Sequence, residues 1–95
     1  MAQKNSPICI ITVTGDDKVG IIAQLSMAMA KLNINIVDVN QRIMAHYFVM
    51  TMAIDITDAS CDMDKIKTQL DKLSKKLDLN ITLQNERLFE AMHRI

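Results

Sequence analysis

The sequence is short of almost everything that nucleic-acid binding, membrane insertion or catalysis would need. It has two glycines, one proline, two cysteines, no tryptophan, one tyrosine and two phenylalanines. So few aromatic rings make no stacking platform for single-stranded bases. Eleven basic residues balance eleven acidic ones, which removes the electrostatic case for nucleic acid or an anionic membrane surface. No apolar run approaches the roughly 18 residues of a membrane span. The polar start, Met1-Ala2-Gln3-Lys4-Asn5-Ser6-Pro7, lacks the apolar segment of a secretory leader, and a cytosolic location is expected. Cys9 and Cys61 are in neither a metal nor a redox spacing and read as reduced structural thiols.

Catalytic signals are missing too. His46 and His93 have no cysteine or second histidine at ligand spacing, so no metal and no other cofactor is expected. No Ser-His-Asp or Cys-His arrangement can be assembled. Asp16-Asp17 is a carboxylate pair, but adjacent acids at a helix start read as caps and solvated charge rather than as an acid–base dyad. The chain is not expected to be an enzyme.

What is present is apolar surface. Forty-nine per cent of the 95 residues are hydrophobic, in a chain of a size that buries only about 60–65% of its unfolded surface. One small domain spanning 1–95 is expected, with a core at about 8–86 and a tail at 87–95, and with apolar surface left over for a partner subunit. Residues 1–6 are expected to be loose. Ile8–Thr14 is a β-rich run suited to a central strand, which Gly15-Asp16-Asp17 should break. A helix follows from about Lys18 to Leu32, with Asp17 as its cap and Val19, Ile22, Leu25, Met29 and Leu32 as its apolar stripe. Asn33 ends it. A second strand covers Ile34–Met44, Ala45-His46 turns, and a third strand covers Tyr47–Ile56, with Phe48, Met50, Met52, Ile54 and Ile56 on one face.

Thr57–Cys61 is a polar link. Asp62–Leu77 predicts a second helix, apolar at Met63, Ile66, Leu70, Leu73 and Leu77. Its lysines, Lys65, Lys67, Lys72, Lys75 and Lys76, read as a solvated face rather than an anion site. Leu79–Asn85 alternates as a fourth strand. Glu86–Ile95 predicts a short helix with Leu88, Phe89, Met92 and Ile95 on one side, packed on the body or on a second subunit. The order predicts an α+β, ferredoxin-like βαββαβ fold: a four-stranded antiparallel sheet, the first and third strands central, two helices on one face. Eight methionines suit an adaptable interface, although Met27, Met29, Met50, Met52 and Met63 fall at core spacing.

Other tenants of such a fold are disfavoured by their own signatures. An RNA-recognition module needs aromatics on the central strands, a copper carrier a cysteine pair in the first loop, a phosphate-binding loop a GKS or GKT sequence. A small polar ligand remains. Both glycines lie in Val13-Thr14-Gly15-Asp16-Asp17-Lys18-Val19-Gly20-Ile21-Ile22. Gly20 serves either close packing of helix on strand or space for a ligand over the backbone. Backbone N–H groups at the helix start can hold a carboxylate, with Lys18 assisting. Asn33, Asn35 and Asp38 offer acceptors for an ammonium group; alternatively, Asn33 is a helix terminator and the other two are exposed strand residues.

The stretch Thr12–Ala23, followed by Leu32-Asn33-Ile34-Asn35-Ile36-Val37-Asp38, resembles the ACT domain family over about residues 8–86. With the tail Leu88–Ile95 it is similar to the short stand-alone prokaryotic members, an uncharacterised group without an attached enzyme. The resemblance implies regulation: a homodimer or higher homo-oligomer that binds an amino acid or related effector at the subunit interface, with a regulated protein as further partner. Carried over by position, it implies Asp16, Asp17, Lys18, Val19, Gly20 and Ile21 in the loop, and Asn33, Asn35 and Asp38 opposite. Many members have Pro or Arg-Pro before the motif glycine, where this chain has Lys18-Val19. A protein-docking module without a small ligand is the alternative.

Overall fold

Two rows of alternating apolar residues set the architecture. In the computed structural model, which describes residues 7–93 and side chains as far as Ala91, the first strand, β1 (Ile8–Asp16), pairs antiparallel with β3 (Tyr47–Asp55). Ile11 faces Met52 and Val13 faces Met50, all four fully buried. Residues directly opposite each other share a sheet face, so these, with Cys9, Phe48 and Ile54, form one apolar surface. Helices α1 (Ile21–Lys31) and α2 (Met63–Leu77) cover it with Ile21, Leu25, Met29, Ile66 and Leu70. Each such side chain contributes about 1.5–3 kcal/mol on burial.

The sheet order is β2-β3-β1-β4, with β2 at Asn35–Met44 and β4 at Asn80–Asn85. This is the antiparallel ferredoxin-like arrangement, the first and third strands central as expected. A final helix, α3 (Glu86–His93), lies against β1 and β4. Phe89 is half-buried there while Leu88 is exposed. The expectations for residues 1–6, for Ile95 and for the side chain of Met92 lie outside the described residues.

Helix ends follow local chemistry. Asp62 caps α2, its carboxylate accepting the N–H of Lys65 at 3.0 Å. The end of α1 is a Schellman turn: Ile34 N–H donates to the Met29 carbonyl, Asn33 N–H to that of Ala30, and Asn33 sits at φ +59°. Asp78 closes α2 in the same left-handed conformation.

Several expectations are corrected. β1 does not stop at Thr14; Gly15 and Asp16 continue the ladder opposite Phe48 and Tyr47. α1 begins at Ile21 rather than Lys18, and Asp17 does not cap it: the capping position is Gly20, with no side-chain hydrogen bond. Three residues are thereby consumed by the loop, which shifts the buried stripe. Ile21, not Val19 or Ile22, starts it; Val19 is fully exposed and Ile22 partly so. Met27 is 59% exposed rather than core.

The strand β2 departs most from simple alternation. A bulge between Ile36 and Asp38 shifts its register against β3, and nine of its ten residues are exposed.

Candidate functional site

The end of β1, the start of α1 and the β2–β3 hairpin meet at one corner. Antiparallel pairing puts Asp16 opposite Tyr47, so the loop after β1 lies beside the hairpin turn. The N–H of Asp17 donates to the His46 carbonyl at 2.7 Å and ties the two together. His46 Nε2 stands 3.7 Å from a carboxylate oxygen of Asp16, with both side chains in solvent. At this distance and exposure the pair is worth little.

The loop encloses one side of an open hollow of about 330 Å³. Asp17, Lys18 and Gly20 line it from the loop, Ile21, Ile22 and Ala23 from the first turn of α1, and Gln41, Ile43 and Phe48 from the hairpin strands. Gly20 stands at φ +91°, and a Cβ built there would meet nothing within 4 Å. Its role is therefore the left-handed turn with open space above it; close packing of helix on strand is excluded at this position. The close approach belongs to Gly15, where a Cβ would stand 2.7 Å from Leu79 Cδ2.

No side chain caps α1 and its first turn holds no acidic residue. The leading N–H groups of the helix, at Ile21, Ile22 and Ala23, have no partner within it and carry the positive end of its dipole. Lys18 does not add to that charge within the hollow, because its ammonium donates to the Leu77 carbonyl at the last turn of α2.

The asparagines lie elsewhere. Asn33 and Asn35 line a second hollow, of about 410 Å³, with Ile34, Asp55, Thr57 and Asp58. Asn33 Nδ2 donates to the Asp58 carbonyl at 2.8 Å. Thr57 donates to Asp55 from its N–H at 2.9 Å and its hydroxyl at 2.6 Å, which holds that carboxyl below its ordinary value. Asp38 is exposed on β2, opposite Ala53, and lines neither hollow. From Asn35 to Ile43 the strand advances roughly 26 Å at about 3.3 Å per residue. Within one chain, then, the loop faces the end of β2, not its beginning, because α1 carries the chain back to the far edge before β2 starts.

Gln41, Ile43 and Phe48 escaped the sequence reading. The signal that finds them is topological: once β1 and β3 are adjacent and antiparallel, the residues around the 45–46 turn must neighbour the end of β1. Among the described residues no group of three or more His, Cys, Asp or Glu could hold a metal ion.

A βαββαβ sandwich with an uncapped helix start opening on a glycine turn defines a ferredoxin-like domain built around its first loop. Residues 7–84 match the model of the ACT domain, and the chain belongs to that family. It is 48% identical over 86 residues to a UPF0237 protein of Clostridium acetobutylicum, covering 90% of this chain and 97% of that one. The solved ACT domain protein from Streptococcus pneumoniae superposes with a TM-score of 0.76 at 34% identity, covering 94% of this chain and all of the other. A formyltetrahydrofolate deformylase from Pseudomonas syringae shares the fold over 28% of its length, with a TM-score of 0.78 at 17% identity. No helix among the described residues is long and apolar enough to cross a membrane.

Proposed function

We propose that the chain is a non-catalytic regulatory module of the cytoplasm that senses an amino acid or related small effector as a homodimer. The observation that carries this is the uncapped start of α1 opening into the uncrowded hollow over Gly20, with Asp17 on its rim. An amino acid has a carboxylate and an ammonium group a few ångströms apart. The carboxylate suits the free N–H groups of Ile21, Ile22 and Ala23, and the ammonium suits the Asp17 carboxylate. Ile43 and the edge of Phe48 offer apolar contact to a side chain, and Gln41 offers an amide that both donates and accepts.

The edge of β2 supports the dimer. This is an edge strand with Val37, Val39, Ile43 and Met44 all exposed, a surface that invites pairing with another strand. A second copy adding its own β2 antiparallel would set the beginning of one β2 against the end of the other. That pairing brings Asn33, Asn35 and Asp38 of the partner subunit toward the Gly20 hollow and unites the two groups that one chain keeps apart. An effector at such a junction favours one subunit arrangement by its difference in affinity for the two.

The test is a thermal-shift screen of the twenty amino acids, with subunit mass measured alongside. Ligand at about 100 times its dissociation constant adds roughly 2.7 kcal/mol. A selective stabiliser whose effect disappears in Gly20→Leu supports the reading. Undiminished affinity in Gly20→Leu removes the loop as the site, and a flat screen on a folded dimer removes the amino-acid sensor.

A further inference from the structure

We propose that the groove between α1 and α2 docks an acidic amphipathic helix of a partner protein. This surface is on the helical layer, shares no lining residue with the Gly20 hollow, and is independent of the effector reading.

The groove, of about 210 Å³, has an apolar floor of Met27, Ala28, Leu32 and Leu73. Its rim carries Lys31, Lys72 and Lys76, and no acidic residue and no arginine lines it. None of the three ammonium groups is in an ion pair among the described residues; Lys76 reaches only the neutral Gln24 amide, at 3.5 Å. On the other flank of α2 the charges are mixed, with Lys67 and Asp71 sharing the hollow over Ile81 and Leu83. In a chain of zero net charge, positive potential is thus concentrated on the side of α2 that faces α1.

Shape selects the class of partner. The lining residues recur at three- and four-residue intervals on both helices: Gln24, Met27, Ala28 and Lys31 on α1, and Gln69, Lys72, Leu73 and Lys76 on α2. Two such parallel stripes, each about two turns long, form the kind of groove into which a ridge of a third helix packs. An added strand has nothing to pair with here, because a helix satisfies its own backbone groups. A phosphate-bearing ligand would gain from the rim but nothing from the floor. A helix with a leucine or methionine stripe flanked by glutamates satisfies both, its acids reaching the rim lysines as flanking charges do in a coiled coil. Met27, 59% exposed and lining the groove, is the adaptable contact such recognition uses.

The test uses synthetic peptides on the full chain. One is an acidic helix of about three heptads with leucine at the seam and glutamate beside it. A second replaces the glutamates by lysine, and a third has the acidic composition with prolines that prevent a helix. Binding is read by fluorescence anisotropy and located by amide chemical-shift changes. The acidic helix is expected to bind, with shifts at Met27, Ala28 and Leu73, and to weaken at least about tenfold in the double variant Lys72→Glu, Lys76→Glu. Both lysines are exposed, so an unchanged melting temperature serves as the folding control, and Met27→Asp gives a second loss through the floor. The proposal is overturned if the acidic helix does not bind, if charge reversal leaves its affinity unchanged, if the proline-containing peptide binds equally, or if the shifts map to β2 or the open sheet face.

Discussion

The ammonium of Lys18 donates a hydrogen bond to the carbonyl of Leu77, joining the loop before α1 to the last turn of α2. The free carbonyls of a helix end carry the negative pole of its dipole, so the lysine serves α2 rather than an anion in the hollow. Lys18→Met is expected to lower stability by about 1 kcal/mol in urea titration, with a smaller effect on effector affinity than Gly20→Leu. Loss of effector binding at unchanged stability would assign the ammonium to the ligand instead.

The two glycines separate strain alone from strain with crowding. Gly20→Ala meets no neighbour and should cost about 1 kcal/mol, from the positive φ alone. Gly15→Ala adds strain at φ +150° to a Cβ 2.7 Å from a methyl of Leu79, which is itself buried, and should cost about 2–3 kcal/mol. Denaturant midpoints of the two variants compare them directly; equal losses would mean that Leu79 swings aside.

At the sheet edge, Val39→Lys should dissociate the proposed dimer and leave a folded monomer. Val39 is already 41% exposed in the single chain and lies outside the buried cluster, whereas a charge on an edge strand opposes pairing. Light scattering and circular dichroism on one sample give mass and fold together. A dimer that persists at the same affinity would place the interface elsewhere.

Acid should weaken the link after β3. Both hydrogen bonds from Thr57 favour ionised Asp55 and hold its carboxyl below the ordinary value. The folded value is thus below the unfolded one. The stabilisation is present above about pH 4 and is lost as pH falls through the folded value. Asp55→Asn should flatten the melting temperature over that acid range and leave other pH dependence unchanged.

The thiols should react in sequence. Cys9 is fully buried against Met63, and burial followed by the charge of Glu86 pushes its thiol up, away from the reactive thiolate. Cys61 is half-buried in the link. Iodoacetamide should label Cys61 in the native protein and Cys9 only on unfolding, as peptide mass mapping would reveal. Rapid native labelling of Cys9 would mean that β1 opens locally.

An apolar, β-rich run at Ile8–Thr14 and alternation along Phe48–Ile54 made the two central strands legible. Leu25, Met29, Ile66 and Leu70 did the same for the helices. The start of α1 was not legible. Asp17 is a better cap by composition than Gly20, yet continuing the ladder through Gly15 and Asp16, and anchoring Asp17 to His46, carries the chain past the point where Asp17 could cap.

The amino-acid sequence by itself determined the order of elements, the ferredoxin-like sheet and the face of it that is buried, since periodicity and turn chemistry are local properties. Only the tertiary structure decided what faces Gly20. The sequence puts Asn35 fifteen positions beyond it, but α1 carries the chain to the opposite end of the sheet, and Gln41 and Ile43 come back beside the loop through strand pairing. Neighbours that meet through such pairing leave no spacing signature, and neither do the lysines that α1 and α2 gather around Met27.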